Sequence, residues 1–127
     1  MGDPRPIGFF DSGVGGLTVL VEVMRRLPLE DTIYLGDNAR TPYGPRPDEE
    51  VVRFSTECLD VLAGRDVKAI VVACNTSTAI ALPILRRRYA LPILGVVRPG
   101  ATAAALATRT RTVGIIATQA TVRSHAY

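Results

Sequence analysis

The chain has 127 residues, 47% of them hydrophobic, with 15 lysine or arginine residues against 12 aspartate or glutamate and a formal net charge of +3. That is one domain's worth of sequence with enough apolar residues for a buried core, which excludes disordered, collagen-like and low-complexity chains. The small basic excess comes without an aromatic stacking surface or DNA-binding motif, no apolar run spans a bilayer and nothing at the N-terminus resembles a signal peptide, so neither nucleic acid nor a membrane is expected and a cytoplasmic location is.

Residues 7–10 are a short apolar strand, followed by the turn Asp11-Ser12-Gly13-Val14-Gly15-Gly16. A helix is predicted over 17–27, with Leu17, Leu20, Val21, Met24 and Leu27 at helical spacing and Pro28 closing it. A second strand covers 32–35, and a turn-rich loop runs through Pro42, Tyr43, Gly44 and Pro45. The next helix starts near Asp48 with Glu49 and Glu50 in its first turn. It carries Val51, Phe54, Cys58, Val61 and Leu62 on one face and stops at Gly64, so Cys58 is expected in the core.

Residues 67–73 form the central strand, apolar throughout, as a strand buried on both faces should be. A helix follows Cys74 to about Arg88, with a kink expected at Pro83. A fourth strand is predicted over 91–97, a short helix over 100–108, a fifth strand over 112–117 and the opening of another helix before Tyr127. Strands alternating with helices imply an α/β fold, a parallel sheet with helices on both faces.

Ligands of such sheets bind outside the carboxyl ends of the strands. Those ends carry Asp11 and Ser12, then Gly36-Asp37-Asn38, then Cys74-Asn75-Thr76, then Thr118. All are polar or reactive and should converge on one crevice suited to a small anion, with the loop through Tyr43 and Gly44 able to fold over it. Cys74 is the most telling of them. A thiol delivered by a buried strand to the start of a helix is favoured as thiolate, and a fall in pKa from about 8.5 to about 7 raises the thiolate share at neutral pH to roughly half.

Other chemistries fit less well. Thr18 stands where the dinucleotide-binding fingerprint needs its third glycine, and no phosphate-gripping lysine follows, although a nucleotide-binding module built on this turn is not eliminated. Ile80 occupies the place where a cysteine phosphatase needs arginine. Cys58, Cys74 and the lone His125 have no metal-ligand spacing. The remaining inventory is a thiolate near a carboxylate with no sign of a cofactor, which suits proton abstraction next to a carboxylate.

The run from Ile7 to Val19 closely resembles the opening of bacterial glutamate racemases. Tyr34-Leu35-Gly36-Asp37 with Pro42-Tyr43-Gly44-Pro45-Arg46, and Ala73-Cys74-Asn75-Thr76-Ser77-Thr78-Ala79, match two further signatures of the aspartate/glutamate racemase family in order. Gly95 to Gly100 and Gly114 to Tyr127 continue the match, so the resemblance covers essentially the whole chain.

The resemblance implies a cofactor-independent enzyme that interconverts L- and D-glutamate for peptidoglycan synthesis, using two cysteines on opposite faces of the substrate. Cys74 corresponds to the first, which acts on D-glutamate, and Asp11 assists the thiol or contacts the ammonium. Ser12, Tyr43, Gly44, Asn75 and Thr76 hold the carboxylates, and Thr118 and Thr121 correspond to threonines from the second lobe. On this basis residues 1–97 are the first lobe and 98–127 the start of a second. A homodimer is left open. Family chains are about twice as long, and their second cysteine lies in a glycine-cysteine-threonine-histidine segment beyond the point where this sequence ends. The 127-residue chain alone is therefore expected not to racemise glutamate at a useful rate. Binding of glutamate or of a partner chain without catalysis is the alternative, and aspartate is a lesser candidate substrate.

Overall fold

The position of every polar group at the top of this sheet follows from how the chain winds between strands. A computed structural model describes residues 2–127. Strands β1 (Ile7–Asp11), β2 (Thr32–Gly36), β3 (Ala69–Val72) and β4 (Ile93–Gly95) form one sheet in the order β2-β1-β3-β4. All three pairings are parallel, with Phe10 opposite Leu35 on one side and Val72 on the other.

Helix α1 (Leu17–Arg26) carries the chain outward from β1 to β2. Helix α2 (Asp48–Ala63) brings it back past β1 to β3, and α3 (Asn75–Ile80) with α4 (Leu82–Arg88) leads on to β4. Right-handed crossovers that step in opposite directions lie on opposite faces. This puts α1 on one face and α2, α3 and α4 on the other, the α/β arrangement expected from the alternation. The direction of winding reverses between β1 and β3, so the crevice forms at their carboxyl ends.

The core lies between the sheet and α2. Phe10, Ile70 and Val72 pack with Val51, Leu59 and Leu62, and Leu85 of α4 joins them. Cys58 is buried there as expected. Leu59 takes the inward place that periodicity gave to Val61, which is 51% exposed. Phe9 alternates to the opposite face and is fully buried, yet no residue of α1 is. Val19, Leu20 and Val23 of that helix are half-buried, while Leu17, Val21 and Met24 face outward.

The chain departs from the predicted elements in three places. The long helix after Cys74 is two helices that meet at Ala81, and Pro83 sits in the first turn of α4, where a missing N–H costs nothing. Strand β4 is only three residues long because Val97 already begins helix α5 (Val97–Ala107). Arg98-Pro99-Gly100 therefore lies in the first turn of a helix, again a position that tolerates proline. The predicted fifth strand over 112–117 is not a strand. It finds no hydrogen-bonded neighbour, and Val113, Ile115 and Ile116 stand exposed. A strand's backbone groups need a partner strand, and apolar composition alone does not supply one. Helix α6 (Gln119–Arg123) follows, confirming the predicted helical opening.

Candidate active site

Backbone pairing brings the ends of β1 and β3 level. The Ala73 N–H donates to the Phe10 carbonyl at 2.8 Å, so Asp11 and Cys74 leave the sheet side by side. Gly16 sits directly over this junction. A Cβ there would lie 2.7 Å from Asp11 Cβ and 2.9 Å from Ala73 Cβ, so only glycine lets α1 start so close to the two strands.

Cys74 is the N-cap of α3, with the Ser77 N–H donating to its Sγ at 3.4 Å. The thiol itself donates to Ser12 Oγ at 3.5 Å. Cys74 is 5% exposed. It touches the apolar core on one side and lines a crevice of about 560 Å3 on the other, a volume in the range of small-molecule sites. Asp11, Ser12, Asn75, Thr76 and Thr118 line the same crevice. The Gly13 N–H donates to Asp11 Oδ2 at 2.9 Å, which orients that carboxylate over the turn. Tyr34 reaches in from β2 and donates to the Gly13 carbonyl at 2.9 Å. Burial first, then the negative charges of Asp11 and Cys74, pushes the Tyr34 phenol up to about 12.

The loop after β2 is anchored from below. Tyr43 is buried, and its hydroxyl donates to Asp37 Oδ2 at 2.6 Å. Arg40 Nε donates to the same oxygen at 2.6 Å and stacks its guanidinium 4.3 Å from the Phe54 ring centre. The Tyr43 phenol is held well above its usual range, by burial foremost and then by this bond. The Tyr43 side chain thus supports the loop and does not line the crevice. Gly44 lies against Thr118, where a Cβ would come within 2.7 Å of the threonine's Cβ.

Three hydroxyls join the end of the chain to α3. Thr76 Oγ1 and Thr118 Oγ1 are 2.9 Å apart, Thr118 Oγ1 and Thr121 Oγ1 are 3.0 Å apart, and Thr121 Oγ1 donates to Thr76 Oγ1 at 3.5 Å. Gly36, Asp37 and Asn38, expected at the crevice from strand order, do not line it, because the Asp37 carboxylate is taken by Tyr43 and Arg40. Of the nine residues assigned to the site, Tyr43, Gly44 and the buried Thr121 do not line it either. The other six line it. Thr41, Tyr34 and Tyr127 were given no role in the sequence. Tyr34 lies in the quoted Tyr-Leu-Gly-Asp motif, which is the one signal that marked it. No group of three or more His, Cys, Asp or Glu among the described residues is placed to hold a metal ion.

A thiol and a carboxylate lie together at the switch point of a parallel α/β sheet, ringed by hydroxyls and an amide. The chain belongs to the Asp/Glu/Hydantoin racemase family, whose model matches residues 12–127. It is 50% identical over 125 residues to the glutamate racemase of Lactococcus lactis subsp. lactis, covering 98% of this chain and 46% of that one. The structure of glutamate racemase from Thermus thermophilus in complex with beta-chloro-D-alanine superimposes with a TM-score of 0.89 and 54% identity, over 99% of this chain and 48% of that one. The glutamate racemase from Francisella tularensis in complex with D-glutamate gives a TM-score of 0.89 at 45% identity, over 99% of this chain and 47% of its own. The chain spans about half the length of the curated relatives it matches. No helix of the described residues is long and apolar enough to cross a membrane.

Proposed function

We propose that this chain supplies the Cys74 half of a cofactor-independent glutamate racemase. One observation carries the reading: Cys74 lines a crevice that it shares with Asp11, Ser12 and Asn75. Residues 1–97 act as the first lobe and 98–127 as the start of the second. The relatives named glutamate racemases, one of them solved with D-glutamate, support glutamate as the small-molecule substrate.

In this mechanism the Cys74 thiolate removes the α proton of D-glutamate and becomes a thiol. The electron pair left on the α carbon is delocalised into the α-carboxylate. Ser12, Asn75, Thr76 and Thr118 hold the substrate's carboxylates, with hydroxyl and amide donors that strengthen as charge builds up. Tyr43, Gly44 and Thr121 fix the walls on which those donors sit. Asp11 assists the thiol or receives the substrate ammonium. Inversion requires a second acid on the far face, the role that the family resemblance gives to a second cysteine. Cys74 alone returns a proton to the face it came from, so it exchanges hydrogen without changing configuration. With a second thiol the same steps, run in reverse, turn L-glutamate into D-glutamate, with Cys74 returning the proton, and that D-glutamate serves peptidoglycan synthesis in the cytoplasm.

The experiment is incubation with D-glutamate in deuterated water. Loss of the α-proton NMR signal with retained configuration is expected, together with its disappearance in Cys74→Ser. Absence of exchange by the wild-type chain sinks the assignment of Cys74. Robust L-to-D conversion by the pure chain, followed by circular dichroism, sinks the need for a second thiol.

A second reading, binding of glutamate or a partner chain without turnover, is favoured by the cysteine inventory. Cys58 is the only other cysteine and lies buried beneath Arg40, whose Nη2 donates to its sulfur at 3.7 Å. Calorimetric titration with D-glutamate that gives equal heats for wild type and Cys74→Ser, without exchange, would favour it.

A further inference from the structure

The carbonyl of Gly13 is gripped from two sides by β2. Tyr34 donates its hydroxyl to that oxygen at 2.9 Å. Gly36, two residues along the same strand, presses its bare backbone against it, because a Cβ on Gly36 would come within 2.3 Å of the oxygen. The other end of the turn is held by Asp11, whose Oδ2 accepts the Gly13 N–H at 2.9 Å. The Ser12–Gly13 peptide is thus fixed at its N–H and the next peptide, Gly13–Val14, at its carbonyl, so the turn is held on both sides of Gly13. Its orientation aims Ser12 Oγ at the Cys74 sulfur, 3.5 Å away. A serine on a glycine-rich turn has no packing of its own to hold this aim, since Ser12 is only half-buried and Gly13 lacks a side chain.

We propose that Tyr34 is a positioning residue for Cys74, acting through the Gly13 carbonyl and the Ser12 hydroxyl. The inference rests on the reading of Cys74 as the proton-transferring thiol. As a thiol, Cys74 donates to Ser12; as a thiolate it needs Ser12 to turn and donate back. Both states require the hydroxyl to stay within reach, and the Tyr34 bond is what keeps the turn from swinging. The titratable groups from neighbouring strands that face this corner are Asp11 of β1 and Tyr34 of β2, and burial foremost, with the Asp11 charge, raises the Tyr34 phenol. A tyrosine kept only for packing would do its work equally well as phenylalanine.

The test is the pH profile of Cys74 alkylation by iodoacetamide on the intact chain, with Cys74 and Cys58 peptides separated by mass spectrometry. Tyr34→Phe is expected to move the Cys74 midpoint upward and to slow its alkylation at neutral pH by roughly three- to tenfold. Ser12→Ala should do the same, and the double variant should be no slower than Ser12→Ala alone, because both act on one hydrogen bond. An unchanged profile in Tyr34→Phe overturns the proposal, as do two effects that add in full. Should Tyr34→Phe fail to fold, Gly36→Ala decides the matter, since its Cβ displaces the same carbonyl from the other side; an unchanged profile there also overturns it. Wild-type Cys74 that reacts no faster than free cysteine removes the reading of Cys74 and this inference together. Fast wild-type reaction with an indifferent Tyr34→Phe removes this inference alone.

Discussion

The hydroxyl of Tyr127 donates to Oδ1 of Asn75 at 2.6 Å, tying the last residue of the chain to the first residue of α3. Asn75 lies at the mouth of β3 beside Cys74, so this bond occupies a side chain assigned to substrate. Tyr127 lines the same crevice.

Tyr127→Phe should release Asn75 and loosen the segment that α6 leads into. The bond lies at an exposed site, so its loss costs no more than about 1 kcal/mol. Faster amide hydrogen exchange over 119–127, with the sheet unaffected, is the expected result. Unchanged exchange in that segment would show that the threonine contacts and the Arg123–Asp48 ion pair hold it without Tyr127.

Gly44→Ala should be more damaging than its size suggests. The new methyl would sit 2.7 Å from Thr118 Cβ and 2.8 Å from its Cγ2, atoms close to the backbone that have little room to give. Thr118 also caps α6 by accepting the Thr121 N–H, so displacing it disrupts the cap and the hydroxyl triangle together. A loss of roughly 1–3 kcal/mol in urea unfolding is expected. Gly114→Ala, at an open position, serves as the control and should change little.

Tyr43→Phe keeps the ring among Phe10 and Phe54 but removes the donor to Asp37. Asp37 is 8% exposed and keeps only Arg40 as a side-chain partner for Oδ2. A buried carboxylate that loses one donor destabilises the fold by about 1–3 kcal/mol. The urea midpoint should fall accordingly, and the loop after β2 should become the first site of proteolytic cutting.

Alkaline pH should weaken the fold through Cys58. Burial foremost, with the Asp37 charge, pushes its thiol from 9.0 up to about 11. Below pH 9 the folded and unfolded chains both hold this proton. Between about 9 and 11 only the folded chain does, so ionisation favours the unfolded state and stability falls as pH rises. The full effect is on the order of 1–3 kcal/mol. Unfolding free energy measured against pH should lose part of its alkaline slope in Cys58→Ala, whatever that substitution does to stability at neutral pH.

The parts legible in the sequence are those set by local pattern. The apolar run before Cys74, the acidic first turn at Asp48 and the stop at Gly64 each depend on neighbours along the chain, and β3 and α2 stand where these signals put them. Residues 112–117 have the same apolar character as β3 but no strand beside them, and composition cannot reveal a missing neighbour. The start of α5 was hidden by Pro99, whose tolerance of a helix's first turn makes the residue an ambiguous marker. Within the crevice, Cys74, Asp11 and Ser12 follow from strand order. The inward turn of Tyr43 toward Asp37 and the reach of Tyr34 to Gly13 depend on contacts made across the fold, which no spacing rule encodes.

The segment 112–117 has a practical consequence for anyone handling this chain. Thr-Val-Gly-Ile-Ile-Ala carries no charge and no proline, and three of its apolar side chains face water with their backbone unpaired. Short uncharged β-prone stretches held open in this way are templates for cross-β stacking between molecules. These six residues are therefore a point where self-association in concentrated solution is expected to start, and Ile116→Lys, at a fully exposed side chain that does not line the crevice, is expected to reduce it.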